Sequence, residues 1–533
     1  MQQDYITFKD TGYFSSIICD YLDEDKTLSP FYNRFPKIEN FKGQIEEKCK
    51  LVQAQSRSVL VEILKKQYRN IDASEATLSH IESLKEENTF TVTTGHQLNL
   101  FTGPLYFLYK IISTINLTKA LKQEYPNYNF VPVYWMATED HDFDEINFFN
   151  FKGKKFQWNR EASGAVGMLS TEGLDEVLNW FSKELGLSKN ANKIKELFET
   201  AYLKNNNLTD ATRCLANALF KDCGLVIIDA ADKELKQLFV PFIKEELLDQ
   251  TSFKMVSKSN QQISAASENY KIQVTPREIN LFYLKDNLRE RIVLEEGVYK
   301  VLNTNITFGK EALLQEVENH PERFSPNVVM RPLYQEVILP NLCYIGGGGE
   351  LAYWLQLKDY FKEVNIAFPI LLLRNSVLIQ SESQHKKLQN LSISPKDIFL
   401  KRNAFINKKV REISNIDIDF SNQKEHLKQQ FEALYNLADQ TDKSFLGAVK
   451  AQEAKQLKGL DKLEKRLLKA QKNKLSDHVQ RMTELQNELF PNQGLQERNA
   501  NFSEFYLEYG DDLISKLIEQ LQPLKEELLI LTL

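Results

Sequence analysis

"TFTVTTGHQLNLFTGPLYFLYKIISTINLTKALKQEYPNYNFVPVYWMA", residues 89–137, decides the architecture. Residues 89–94 are β-branched and aromatic, the composition of a short strand. A polar stretch bounded by Gly95 and Gly103 follows and is expected to be a loop. Pro104 then opens a helix in the first turn, where its missing N–H leaves no partner unsatisfied. Residues 129–137 are continuously apolar after Asn129, the pattern of a strand covered by helices on both faces. Strand, loop, helix, strand is a βαβ unit, and it places both strands parallel in one sheet.

The same signal recurs outward from this unit. "GLVIIDA" (224–230) and "FPILLLR" (368–374) are two further buried-strand candidates. Helices are expected over 43–70, 71–85, 177–222, 234–258 and 349–362 from apolar residues three and four apart. Residues about 260–325 read as a small antiparallel insert of short strands and turns. Beyond 378 the strand signal fades. Residues 422–487 hold Lys, Glu, Gln and Leu without proline, with Leu427, Phe431 and Leu434, then Leu460, Leu463 and Leu467, at heptad-like spacing. They predict two long helices packed as a coiled hairpin or as a dimer arm. The expected fold is therefore α/β: a Rossmann-like, mostly parallel sheet core with N-terminal helices (1–377), a long helical coiled-coil arm (378–488), and C-terminal helices packing back on the core (489–533).

The totals narrow the class. A chain of 533 residues is long enough for two or three domains. A net charge of −6 and the lack of a basic stripe with interleaved aromatics argue against nucleic acid as a partner. Cys19, Cys49, Cys214, Cys223 and Cys343 show no CxxC spacing, so neither a disulfide framework nor a thiolate zinc site is expected. No apolar run approaches eighteen residues and the start lacks a signal-peptide pattern. No membrane association is expected, which leaves the cytoplasm.

Chemistry concentrates at the expected carboxyl ends of the strands, where α/β sheets place their ligands. "TEDHDFDEIN" (138–147) packs five carboxylates and a histidine into residues 139–145. In an extended loop Asp140, Asp142 and Asp144 would share one side. Carboxylates so close repel unless a cation balances them, so Asp142 and Asp144 are candidate metal ligands. Asp140, His141, Asp142 and Asp144 are candidate catalytic groups, with His141 the candidate general base. A solvated acidic turn is the plain alternative.

In "GHQLNLFTG", Gly95, His96, Gln97, Thr102 and Gly103 offer turns and polar groups before a helix N-terminus, and Lys110 lies two turns into that helix. The stretch matches neither dinucleotide nor phosphate-loop glycine patterns. In "SPNVVMRPLYQEVILPNLCYIGGGGELAYWLQL" (325–357), Gly346, Gly347, Gly348 and Gly349 are expected to form an amide-lined anion nest. Glu350 is expected to cap the next helix, Arg331 to fork onto a phosphate or carboxylate, and Tyr353 to stack on a ring. Arg277, Arg289 and Arg291, with Glu278, read as a salt-bridged hairpin or a cover over a polar ligand. Asp229 and Asp232 are edge candidates.

"TGHQLNLFTGPLYFLYKIIS", "VPVYWMATEDHDFDEIN", "QVTPREINLFY", "SPNVVMRPLYQEVILPNLCYIGGGGELAYWLQLK" and "LFPNQGLQERNANFSEFYLEYG" together resemble the bacillithiol biosynthesis cysteine-adding enzyme family, in order and over nearly the whole chain. The resemblance implies a cytoplasmic ligase that joins L-cysteine to the amino group of glucosaminyl-malate in the last step of bacillithiol synthesis. It implies a Rossmann-like core and a coiled-coil arm associated with homodimers. His96 departs from the family's usual glutamine, and Gly348 from its usual proline. Because a free carboxylate does not acylate an amine in water, such a ligase needs carboxylate activation, for which ATP and Mg2+ are expected. Two other functions fit the residues: a metal-dependent sugar-nucleotide transferase using Asp142-Phe143-Asp144, and a non-catalytic coiled-coil scaffold.

Overall fold

The computed structural model of the chain describes residues 2–51, 54–441 and 443–533. The expected 43–70 helix crosses residues 52–53 and the expected arm crosses residue 442, which lie outside the described residues.

The central sheet has five parallel strands in the order Ile370–Leu373, Asn341–Gly346, Thr89–His96, Asn129–Met136, Val226–Asp229. All eight residues of Thr89–His96 are buried, as a strand covered on both faces must be. Pro132 is tolerated inside the sheet because pairing with the Val226–Asp229 strand begins only at Val133. The strand Asn341–Gly346 is absent from the strands expected from the sequence, which assigns no element to 341–345 and starts an anion nest at Gly346, the residue that instead ends this strand. The first strand also runs on through Gly95 and His96, two residues past its expected end.

Strand order makes the switch point explicit. From Thr89–His96 the helix Tyr106–Glu124 packs over that strand and Asn129–Met136. From Asn341–Gly346 the short helix Gly348–Trp354 packs toward Ile370–Leu373. The chain thus leaves two adjacent strands in opposite directions, and a crevice opens between their carboxyl ends.

Residues 281–326 form a separate antiparallel sheet in the order Thr307–Phe308, Val298–Val301, Leu288–Glu295, Leu281–Lys285, Phe324–Pro326. A third sheet joins the chain's two ends. Glu527–Thr532 pairs antiparallel with Gln2–Thr7 and parallel with Val377–Gln380. Helices alone were expected at the C-terminus; the segment "ELLILT" is instead a buried central strand.

The arm comprises helices Ser421–Ala438, Lys443–Lys474 and Ser476–Leu489. The first two pair through Phe431, Ala438 and Val449, and Lys424 bridges to Asp461 and Glu464 across the hairpin. Leu434, Leu437, Phe445 and Leu463 stay exposed. Among the described residues no helix is long and apolar enough to cross a membrane.

Candidate active site

A cavity of about 990 Å³ opens over the switch point. Its floor is the end of the Thr89–His96 strand, and its walls come from the acidic tip, the antiparallel insert, the glycine segment and the C-terminal part of the chain. Gly95, His96, Gln97 and Lys110 line it from the first βα unit, Asp140, His141 and Glu145 from the second, and Arg331, Gly347, Gly349, Glu350 and Tyr353 from the third segment.

Lys110 and Glu350 tie the crevice together. Lys110 Nζ donates to the Gly95 carbonyl at 2.6 Å and pairs with Glu350 Oε2 at 2.6 Å. Glu350 also accepts from the Tyr344 hydroxyl (2.7 Å) and the Gly347 N–H (2.8 Å), so it caps the Gly348–Trp354 helix as expected. Burial alone would raise its carboxyl; the Lys110 charge and these hydrogen bonds outweigh burial and hold it below the usual range. Both groups are thus satisfied by each other and act as a brace.

His96 sits beside this brace, 8% exposed. Burial, then the Lys110 charge, drives its imidazole down to about 3, so it is uncharged at neutral pH. Its Nε2 has no hydrogen-bond partner among the described residues.

Arginines supply what the acids do not balance. Arg277, Arg289, Arg291, Arg331, Arg374 and Arg498 all reach the cavity, against the carboxylates Glu139, Asp140, Glu145 and Glu350. Arg331 donates from Nη1 to Gln335 at 3.0 Å and lies over the Tyr344 and Trp135 rings. It makes no ion pair among the described residues, and its buried Nη2 has no partner. Arg374 is buried and paired with Glu497 at 2.7 Å, yet its Nε is also unpartnered. A Cβ on Gly347 would lie 3.8 Å from that Nε, so the glycine leaves this guanidinium edge open. Arg374 and Arg498 were not singled out from the sequence. Arg374 did carry a signal, since it immediately follows an apolar strand.

The acidic tip is not the extended loop that the sequence suggested. Phe143–Ile146 is a helical turn, and Phe143 is buried against Trp158 with ring centroids 5.3 Å apart. Asp140 faces the cavity and receives Gln97 Nε2 at 2.9 Å and the His141 N–H at 2.7 Å. Burial pushes Asp140 up, but the His141 side chain, Gln97, the His141 N–H and the Arg289 charge more than offset it, holding the carboxyl well below its ordinary value. Gln97 Nε2 also reaches Glu145 at 2.9 Å. Glu139 is taken by the fully buried Lys236 (2.8 Å) and by Ser325 (3.0 Å), which locks the tip to the insert.

Several expected site residues lie elsewhere. Asp142 caps the helical turn, accepting from the Glu145 N–H at 3.4 Å, and Asp144 is exposed in its first turn; neither lines the cavity. Among the described residues no group of three or more His, Cys, Asp or Glu is arranged to hold a metal ion. Metal ligation by Asp142 and Asp144 is therefore not supported, which counts against the Asp-x-Asp transferase reading. Thr102 and Gly103 are also outside the lining. They form a left-handed turn with Phe101 (φ +48, +67 and +61) held by Asn501, which donates to the carbonyls of Phe101 (2.8 Å) and Gly103 (2.7 Å).

The four glycines are no nest: none of Gly346 to Gly349 has positive φ, and the Gly347 N–H is already bonded to Glu350. Gly346 is required by packing, since a Cβ would meet Leu351 and Tyr344 at 2.9 Å. Gly348 is outside the lining, against Ile18 and Phe14. Asp229 accepts from Thr138 at 2.5 Å, and Asp232 caps a helix and pairs with Lys66. Both hold the sheet edge rather than face the cavity.

Comparison with known proteins covers the chain end to end. Residues 1–375 match the family model described as bacillithiol biosynthesis BshC, N-terminal Rossmann-like domain, and residues 377–533 match the model described as bacillithiol biosynthesis BshC, C-terminal coiled-coil domain. A protein of Flavobacterium johnsoniae is 61% identical over 532 residues, covering 100% of both chains. One of Christiangramia forsetii is 60% identical over 100% of this chain and 99% of its own. One of Staphylococcus haemolyticus is 30% identical over 94% of each. All three carry the provisional name cysteine ligase BshC.

Proposed function

The chain belongs to the BshC family of bacillithiol biosynthesis, and from that premise we propose that it is a carbon–nitrogen ligase joining the carboxyl group of L-cysteine to the amino group of glucosaminyl-malate. The observation that carries this reading is Arg331. A guanidinium at the cavity wall with a buried Nη2 that has no hydrogen-bond partner and no ion pair among the described residues calls for an anion from the ligand. The open Nε of Arg374 and the neutral His96 lie on the same cavity. Every substrate of the proposed reaction carries at least one anionic group, a carboxylate or a phosphate.

Amide formation needs a better leaving group than oxide. In the proposed scheme the cysteine carboxylate is activated by ATP as co-substrate. The amine nitrogen then bonds to the acyl carbon, the acyl C–O bond breaks, and its electron pair leaves on the phosphoryl oxygen. The proton released by nitrogen goes to a carboxylate. Glu145 is the best placed acceptor, because Glu139, Asp140 and Glu350 are each committed to two or more donors whereas Glu145 receives only the Gln97 amide at its side chain and is exposed. Among the described residues no carboxylates are grouped as a magnesium cage, so in this scheme Mg2+ would enter with the nucleotide phosphates.

The test is incubation of the full chain with cysteine, glucosaminyl-malate and ATP, with both the thiol product and the nucleotide product followed by mass. The expected result is an amide formed with stoichiometric nucleotide cleavage and lost in Arg331→Met. Amide formation without nucleotide consumption would overturn activation, and no amide with any nucleoside triphosphate would overturn the ligase reading. The exposed apolar side chains of the arm support a homodimer as the working form, to be read by light scattering.

A further inference from the structure

Besides Ser325, which bonds Glu139, the antiparallel insert meets the acidic tip at Phe282 and Arg289. Arg289 stands on Leu288–Glu295, next to the strand Leu281–Lys285 that carries Phe282. Its guanidinium lies 3.9 Å from the centroid of the Phe282 ring, and the His141 ring lies 5.6 Å from that centroid. The stack fixes the guanidinium in place, with Arg289 Nη1 2.6 Å from His141 Nδ1.

A guanidinium carries only N–H donors and has no lone pair to offer. His141 Nδ1 must therefore present its own lone pair to Arg289, and the ring hydrogen resides on Nε2. Asp140 is the weaker neighbour of Nδ1, at 3.6 Å against 2.6 Å for Arg289 Nη1. Its Oδ1 is 3.6 Å away, beyond hydrogen-bond length, and that oxygen already takes the His141 backbone N–H at 2.7 Å. Its Oδ2 is taken by Gln97.

We infer that Arg289 is a positioning residue that fixes His141 as the Nε2–H tautomer, so that His141 donates a hydrogen bond into the cavity instead of accepting a proton. The sequence reading of His141 as general base is thereby replaced. Given the ligase reading, on which the choice of acceptor rests, the Nε2–H polarises an oxygen that gains charge as the amine attacks: the acyl carbonyl or the departing phosphoryl oxygen. No bond to His141 forms or breaks, and the amine proton is left to a carboxylate.

The experiment uses the full-length chain with 15N-labelled histidine. The chain has seven histidines, and the His141 signals are identified by their loss in His141→Gln. Long-range proton–nitrogen spectra are expected to show His141 with an unprotonated Nδ1 and a protonated Nε2. Arg289→Met is expected to abolish that pattern, and Arg289→Lys, which also only donates, to keep it. In turnover, His141→Gln retains an amide N–H and is expected to stay within about tenfold of the parent kcat. His141→Glu, which only accepts, is expected to fall by about 100-fold, the cost of losing one donor to a developing oxyanion.

A protonated Nδ1 in the parent protein, a pattern indifferent to Arg289→Met, or His141→Glu outperforming His141→Gln would each overturn the inference. The spectra require no substrate. Absence of amide product would sink the ligase reading while leaving the tautomer assignment to be decided by nitrogen shifts alone.

Discussion

Removing the Glu497 carboxylate is the sharpest test of how the C-terminal part of the chain supports the cavity. Glu497 is 1% exposed and Arg374 3% exposed, with Arg374 Nη2 2.7 Å from Glu497 Oε1. The same carboxylate accepts from the Ser376 hydroxyl at 3.1 Å and the Val377 N–H at 3.2 Å. Glu497→Ala therefore strands a buried cation and two further donors. Breaking a buried pair from one side costs about 3–5 kcal/mol. Each orphaned neutral donor would add about 1–3 kcal/mol if left dry. Arg374 borders a cavity that admits water, which returns part of this, so the expected loss is about 3–5 kcal/mol. It is read from urea unfolding of the full chain by the fluorescence of its four tryptophans, two of them, Trp135 and Trp354, buried beside the cavity or its brace. The pair Arg374→Met with Glu497→Leu removes both charges and should cost less than Arg374→Met or Glu497→Leu alone, so the coupling should be at least about 3 kcal/mol. A loss below about 1 kcal/mol for Glu497→Ala, or a double variant as unstable as the two singles summed, would refute the reasoning.

Three further outcomes are expected. Asp142→Ala and Asp144→Asn should leave amide turnover within about twofold of the parent, since neither side chain lines the cavity, and Asp142→Ala should lose only about 0.5–1 kcal/mol with its long capping bond; a hundredfold loss of kcat would restore the metal reading. Gly103→Ala should cost about 2–3 kcal/mol, seen in thermal unfolding, because φ is +61° and a Cβ would sit 2.6 Å from that of Asn99. Glu526 is half-buried, and burial, then the Glu24 charge, raises its carboxyl to about 7. A raised folded value means that the folded state holds the extra proton, so this group's stabilisation is full below about pH 4.5 and is lost as pH rises through about 7. Glu526→Gln should therefore stabilise at pH 8, by no more than about 1–2 kcal/mol given partial exposure, and hardly at all at pH 5. Equal effects at both pH values in urea unfolding would contradict the assignment.

Much of the scaffold was legible because burial on both faces leaves a local trace. Asn129–Met136, Val226–Asp229 and Ile370–Leu373 are apolar over nearly their whole length and Thr89–His96 opens with a β-branched and aromatic run, so no partner is needed to recognise these strands. The acidic tip and the His96–Gln97 pair were legible for a related reason: they stand where such runs end, and strand ends are where a parallel sheet exposes its ligand edge. "NLCYIG" escaped notice because it runs into four consecutive glycines, which mask a short strand, although Asn341–Gly346 occupies the sheet beside Thr89–His96. "ELLILT" read as a helix tail because its partners, Gln2–Thr7 and Val377–Gln380, lie far away along the chain.

The same division holds for the site. By itself the sequence determined which residue types stand at the sheet's carboxyl edge, because local periodicity encodes where each strand stops. Only the tertiary structure decided which of them face one hollow. It turned Asp142 and Asp144 outward by coiling the tip into a helical turn, and it set Arg374 of one segment against Glu497 of another. It also brought Arg289 of the insert onto His141. Isolated arginines have no pattern in one dimension; their partners are chosen by packing between segments more than a hundred residues apart, where the cost of burying a charge decides who must meet whom.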